Sequence, residues 1–180
     1  MDRILCTTLA LFLSILFLIE DAYAADMWPG TPVKITGEIE VPPCEIDAPD
    51  RIMVADFGTI VDKYLYLNTR THSIPFEIHL LHCSSANDLV ITFKGQESKE
   101  LPGLLAFGSD SLASGAAIGL ELPDGMLLPI NKPTPKFDLV SGSNTFTIKA
   151  YVQGEPGALQ SHSIGRGYFN AVATFYLDYP

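Results

Sequence analysis

Positive charge is scarce in this sequence: 11 Lys+Arg stand against 21 Asp+Glu in 180 residues, for a formal net charge of -10. No cluster of cations appears, which argues against nucleic-acid binding, because counterion release needs one. Anionic membrane surfaces are poor partners for the same reason. Charge of either sign is sparse at 18%, whereas 47% of residues are hydrophobic, so a disordered chain is excluded as well. Cysteine occurs three times and tryptophan once. There is no Cys-x-x-Cys, Gly-x-Ser-x-Gly elbow, His-Glu-x-x-His or phosphate-cradling glycine loop, so no cofactor and no enzyme activity is expected. No stretch sustains a 3.6-residue hydrophobic period, and no helix of consequence is expected.

What is present begins with a leader. After Arg3, residues 4–19 form an apolar run broken only by Thr7, Thr8 and Ser14; Glu20 and Asp21 end it, and Ala22-Tyr23-Ala24 supplies a small-x-small cleavage site. This reads as a secretory signal peptide, residues 1–24. The alternative, a membrane anchor, is disfavoured because sixteen residues are short for a bilayer, and no direct membrane insertion is expected. Cleavage removes Arg3, Asp2, Glu20 and Asp21, leaving 10 Lys+Arg and 18 Asp+Glu, net -8. It also removes Cys6. Cys44 and Cys83, 39 positions apart, then read as one disulfide in an oxidising compartment, with two free thiols as the alternative.

The remaining chain alternates with period two and is all-β, with seven or eight strands. Candidate strands cover residues 44–46 with 52–57, 74–83, 89–93, 116–122, 126–130, about 145–152, and 166–179; a short one within 101–107 is also allowed. Residues 154–165 read as loop. In the last strand Phe169, Ala171, Ala173, Phe175, Leu177 and Tyr179 share one face. The fold class is therefore a β-sandwich. His72, His79, His82 and His162 read as surface or strand-end residues, and Asp47, Asp50 and Asp56 as a solvated acidic face, with no metal site.

One segment needs an explanation. Val33, Ile35, Gly37, Ile39 and Val41 alternate with Lys34, Thr36, Glu38 and Glu40, yet Pro42-Pro43 cuts this strand pattern off from the rest. Either it is the first strand of its own sandwich or it is a strand offered to another sheet edge.

Over some 145 residues the chain resembles the subunits of chaperone–usher fimbriae, the type 1 and P pilus pilin family. The resemblance rests on Val33-Lys34-Ile35-Thr36-Gly37-Glu38-Ile39 followed by Pro43-Cys44-Glu45-Ile46, on Phe57-Gly58, and on Phe76-Glu77-Ile78-His79-Leu80 with Cys83. It continues in Ile91-Thr92-Phe93-Lys94-Gly95, Ala116-Ala117-Ile118-Gly119-Leu120, and Gly167-Tyr168-Phe169-Asn170-Ala171-Val172-Ala173-Thr174-Phe175 running to Tyr179. Within the family it is most similar to minor adaptor pilins, through Leu101-Pro102-Gly103-Leu104, Pro156-Gly157-Ala158-Leu159, Trp28 and ten phenylalanines.

The resemblance implies an incomplete immunoglobulin-like sandwich that lacks its last strand and carries an N-terminal donor strand. Residues 25–43 would be the extension, with donor strand 33–41, and residues 44–180 the pilin domain. Val33, Ile35, Gly37, Ile39 and Val41 would be donated. Phe57, Phe169, Ala171, Ala173, Phe175, Leu177, Tyr179 and the terminal Pro180 would form the acceptor groove and chaperone contact. Partners would be a periplasmic pilus chaperone, an outer-membrane usher and neighbouring subunits, and the protein would pass through the periplasm to a fimbrium on the bacterial cell surface. A major or terminating pilin is the alternative within the family, and a self-closed secreted binding module the alternative outside it. A tip adhesin is not expected, because only eight residues lie between the cleavage site and residue 33.

Overall fold

A computed structural model describes residues 33–37, 43–84 and 88–180. The chain divides into two units, one ending at Ile39 and the other spanning Glu40–Pro180. Of the first unit, residues 33–37 carry no regular secondary structure and are exposed. Ile39 and Val41 lie outside the described residues.

Among its described residues the second unit has eight strands: β1 (Glu45–Ile46), β2 (Ile74–Cys83), β3 (Asp88–Gly95), β4 (Leu105–Ala106), β5 (Ala116–Glu121), β6 (Phe137–Asp138), β7 (Gly142–Gly154) and β8 (Ala173–Asp178). They form two antiparallel sheets, one ordered β1-β2-β7-β5-β4 and the other β6-β3-β8. Ile78 and Leu80 of β2, Leu89 and Ile91 of β3, and Ile148 and Val152 of β7 are fully buried at the centre of one apolar core. These are the alternate positions of each strand, as a sandwich requires.

The β2–β7 ladder sets the frame, running from Ile74 opposite Ala150 to Leu80 opposite Asn144, before a register shift leads to Cys83 opposite Gly142. Pro75 is tolerated near the start of β2 because β1 pairs only with Leu80 and Leu81, so β2 has β7 alone beside it there. The Cys44–Cys83 disulfide ties the entry of β1 to the end of β2. The free side of β3 is dressed by residues 131–134: Thr134 N–H donates to the Ile91 carbonyl and Asn131 N–H to that of Phe93.

Several expectations are corrected. Two short helices are present, α1 (Asp62–Asn68) and α2 (Pro156–Ser161), with a 3-10 turn at Ala48–Arg51. Residues 154–165 were expected to be loop, but Pro156 sits at the first turn of α2, where its fixed φ suits a helix and no N–H is missed. His162 then ends the helix in the left-handed region (φ 54), its N–H bonded to Ala158 and Leu159 carbonyls. Residues 126–130 form no strand; a tight turn at Gly125 (φ +90) returns the chain so that only Leu127 bridges Glu121. The expected last strand starts late: only Ala173–Asp178 is laddered, against β3, and residues 166–172 approach it without pairing as a strand. No helix among the described residues is long and apolar enough to cross a membrane.

Candidate functional site

Residues 52–60 belong to no strand and pair with none among the described residues. They follow the 3-10 turn, which Asp47 caps by accepting the Ala48 N–H at 2.7 Å. Gly58 (φ +56) turns the segment, its N–H held by Asp56 Oδ1 at 2.8 Å, before Val61 leads into α1. Met53, Phe57 and Ile60 pack partly against the core, while Ile52 (86% exposed) and Val54 (82%) stand in the open. A segment of this length with apolar side chains on both faces and no ladder leaves the sandwich unsealed on that side.

Opposite it runs the C-terminal segment. From residue 171 to 180 burial alternates strictly, and Phe169, Ala171, Ala173, Phe175, Leu177 and Tyr179 all pack against the core, with Asn170 half-buried between the first two. The expected face is therefore kept even where the ladder is not. β8 has β3 on one side and no strand on the other among the described residues.

Between the two segments lies an open cleft of about 400 Å³. Met53, Val54, Ala55 and Phe57 line one side, and residues 169–173 with Phe175 the other. Phe76, Phe93, Leu105, Ile118, Leu120 and Ala150 make its floor. A second cleft of about 370 Å³ continues it, lined by residues 58–62 on one side and 164–167 with Phe169 on the other. As one side advances from 53 to 62, the other runs back from 175 to 164. The two clefts make one groove flanked by antiparallel segments, with Phe169 common to both halves. Phe169 stacks on Phe107 (centroids 4.6 Å) and tilts toward Phe57 (6.3 Å). Arg166 and Asp62 join the two sides at the far end, with Nη2 and Nε of the guanidinium 2.7 and 2.9 Å from Asp62 Oδ2. The hydrogen bond from Arg166 holds the Asp62 carboxyl below the ordinary carboxylate range.

Such a groove is a place for extended chain. Its walls are apolar, and one flanking strand has an unpaired edge able to hydrogen-bond a peptide main chain. Phe57, Phe169, Ala171, Ala173 and Phe175, named from sequence, line it. Leu177 and Tyr179 lie on the same face and pack against the core beyond it. The Tyr179 hydroxyl is buried without a hydrogen-bond partner, and burial raises its pKa. Pro180 is exposed at the end. The floor residues from β2, β3, β4, β5 and β7 were not assigned to the groove from sequence, although Phe76, Phe93, Ile118 and Leu120 lie in the segments that carry the resemblance. Alternation marks them as inward-facing but does not tell which inward positions meet another side chain and which meet a gap.

Elsewhere the polar residues are structural. Glu121 is buried (3% exposed) and accepts from Arg70 Nη1 at 2.8 Å and Ser73 Oγ at 2.5 Å. Burial works to raise its pKa, but these two bonds outweigh it and hold the carboxyl below its ordinary value. The Arg70 guanidinium lies 4.1 Å over the Tyr151 ring. Asp50, expected on a solvated acidic face, is buried and bonded to His79 at 3.0 Å. No group of three or more His, Cys, Asp or Glu among the described residues is placed to hold a metal ion.

Comparison with known proteins agrees with this architecture. The family model described as "Fimbrial protein" matches residues 33–180. A Proteus mirabilis (strain HI4320) protein described as a minor fimbrial subunit, PmfF, is 28% identical over 169 residues, covering 92% of this chain and 93% of the relative. The fimbrial-like protein YfcP of Escherichia coli (strain K12) is 30% identical over 122 residues, 66% of this chain and 67% of the relative. Among solved structures, the P pilus rod subunit PapA superposes with a TM-score of 0.68 at 20% identity, over 77% of this chain and all (100%) of that one. The P pilus adaptor subunit PapF gives 0.52 at 21% identity, over 79% and 100%. The fold is thus the incomplete immunoglobulin-like sandwich with one disulfide. The chain belongs to the fimbrial protein family, whose members are structural subunits of fimbriae rather than enzymes.

Proposed function

We propose that this chain is a minor, adaptor-like subunit that polymerises by donor-strand exchange, and that the groove between residues 53–62 and 164–175 is its acceptor site. The observation that carries this reading is the unsealed groove itself, with about 400 Å³ of room over an apolar floor. A domain with that surface open is an aggregation hazard until a strand fills it. A periplasmic chaperone lends the strand first, the extension of a neighbouring subunit replaces it at an outer-membrane usher, and the finished fibre stands on the bacterial cell surface.

In the same reading residues 1–24 are the removed leader, residues 25–43 the extension, and residues 44–180 the domain. Val33, Ile35, Gly37, Ile39 and Val41 are the donated positions. Val33 (80% exposed) and Ile35 (90%) are large apolar side chains in water, which suits a segment whose partner is another chain. A bare Gly37 suits a shallow point in the neighbour's groove. The minor position is supported by the likeness to the minor subunit PmfF across nearly the whole length of both chains.

The test is size-exclusion chromatography of the chain recovered from periplasm, with and without a co-expressed chaperone of the system. The expected outcome is a 1:1 complex with the chaperone and aggregation or degradation without it. A stable monomer in both preparations would refute the reading in favour of a self-closed binding module. Gly37→Val is expected to leave the chaperone complex intact and to abolish incorporation into fibres, scored by immunoelectron microscopy; normal incorporation would refute the donor assignment.

A further inference from the structure

The 3-10 turn at Ala48–Arg51 is the root of the segment that flanks the groove, and one histidine fastens it. His79 of β2 has both ring nitrogens aimed at carboxylates. Nδ1 lies 3.0 Å from Asp50 Oδ2 and Nε2 lies 3.3 Å from Glu77 Oε2. A neutral imidazole has a single N–H, so one nitrogen would turn a lone pair toward an anion; only the imidazolium satisfies both contacts. The backbone joins in. His79 N–H also donates to Asp50 Oδ2, Asp47 N–H donates to the His79 carbonyl at 3.0 Å, and Asp50 N–H donates to the Asp47 carbonyl at 3.0 Å. Asp50 is 7% exposed, so its charge has little water to lean on when the imidazolium proton leaves.

We infer that His79 is the pin of a proton-operated clamp, which fastens the 48–51 turn, and with it the start of the groove-flanking segment, to β2. The charged groups around the pin are few. The turn contributes Asp47, Asp50 and Arg51, and β2 contributes Glu77. From β1, Glu45 is engaged with His82 at 3.3 Å, and from β7 the cross-strand residue is the uncharged Thr145. The field at His79 is therefore net anionic. Its bond to Asp50, opposed by burial and aided by Glu77, raises its pKa above the ordinary 6.5. A group whose folded value is raised stabilises fully below its unfolded value and loses that contribution as pH climbs through the folded one. While Asp50 and Glu77 stay ionised, the clamp is shut below the ordinary imidazole value and opens as pH climbs through the raised one. Its existence stands apart from the groove's role; that opening would slacken the groove's flank for strand uptake rests on the reading proposed above.

Trypsin reads the clamp directly, because Arg51–Ile52 is the bond at the end of the turn. Scission there, in the secreted chain between pH 6 and 9, is divided by scission of an unstructured peptide of residues 46–57. The cut site is confirmed by mass spectrometry. The ratio follows the open population. It is expected to rise about tenfold for each unit separating the folded and unfolded values. His79→Gln should make it high and flat, while His82→Gln should leave the wild-type rise. A flat wild-type ratio, or a rise that survives in His79→Gln, would overturn the inference. Should His79→Gln not fold, 15N NMR of the wild-type rings decides. Two protonated nitrogens on His79 at the acid end of this range and a midpoint above the ordinary imidazole value of 6.5 are expected, and a midpoint at or below that value would overturn the clamp. Binding of a peptide copying a neighbouring subunit's N-terminal extension is scored separately, so a groove that takes no strand leaves the clamp result standing.

Discussion

The groove floor offers a substitution whose two effects should have different magnitudes. Ala150 sits on β7 between the buried Ile148 and Val152, is 2% exposed, and lines the cleft of about 400 Å³. Leucine at this position adds three carbons pointing into the gap. Filling it would recover about 0.8 kcal/mol per carbon, roughly 2 kcal/mol in all, against an overpacking cost of about 1–3 kcal/mol. The domain's own stability should therefore change by less than about 1 kcal/mol. A donor side chain loses the same space, and a filled pocket is worth about 1.5–3 kcal/mol. Strand binding should weaken about 10- to 150-fold. The assays are a urea midpoint for the domain and fluorescence anisotropy of a labelled peptide copying the N-terminal extension of a neighbouring subunit. A general packing defect would lower both together. Unchanged peptide binding in Ala150→Leu, or a stability loss beyond about 3 kcal/mol with no selective effect on binding, would refute the claim that Ala150 faces an open acceptor site.

Two further outcomes follow from the frame around the groove. Replacing both Cys44 and Cys83 with serine removes a cross-link spanning 39 positions; the chain-entropy model gives about 4 kcal/mol, read as a lower urea midpoint, and a shift worth under about 1 kcal/mol would contradict it. Gly119→Ala should cost about 1–3 kcal/mol, because the new Cβ would lie 2.6 Å from Tyr151 Cε2 and push the ring that carries Arg70; pairing it with Tyr151→Ala should relieve most of the clash, and additive losses would show that the contact is not the cause.

Strands with a full ladder were legible from residue pattern alone. Residues 74–83 were bounded correctly because Pro75 and Cys83 punctuate a run of β-formers; β7 was found because Phe146, Ile148, Ala150 and Val152 alternate with polar neighbours, but it runs past the expected 145–152 at both ends, to Gly142 and Gly154. The inward face of 169–179 was legible too, since period two survives without pairing. Both helices were missed for a physical reason. At seven and six residues they are too short to display a 3.6-residue period, and caps and packing, not propensity, hold them. The buried Asp50 and Glu121 were illegible because a carboxylate is placed inside by its partner. His79 lies 29 positions from Asp50, and Arg70 lies 51 from Glu121.

The acceptor site was half legible for a reason that belongs to its chemistry. A closed sandwich and an open one share the same alternation on every strand they possess, so the pattern names Phe169, Ala171, Ala173 and Phe175 as inward without saying what they face. What distinguishes the two is the fate of residues 52–60. The sequence suggested that 52–57 would continue the broken strand begun at residues 44–46. In the structure the 3-10 turn spends the residues between them, and the segment emerges flanking the gap with Ile52 and Val54 in solvent. An apolar flank with no ladder is unfavourable for a domain on its own and favourable for one completed by another chain. The departure from local expectation thus coincides with the proposed site, and the His79–Asp50 clamp stands at the point where that departure begins.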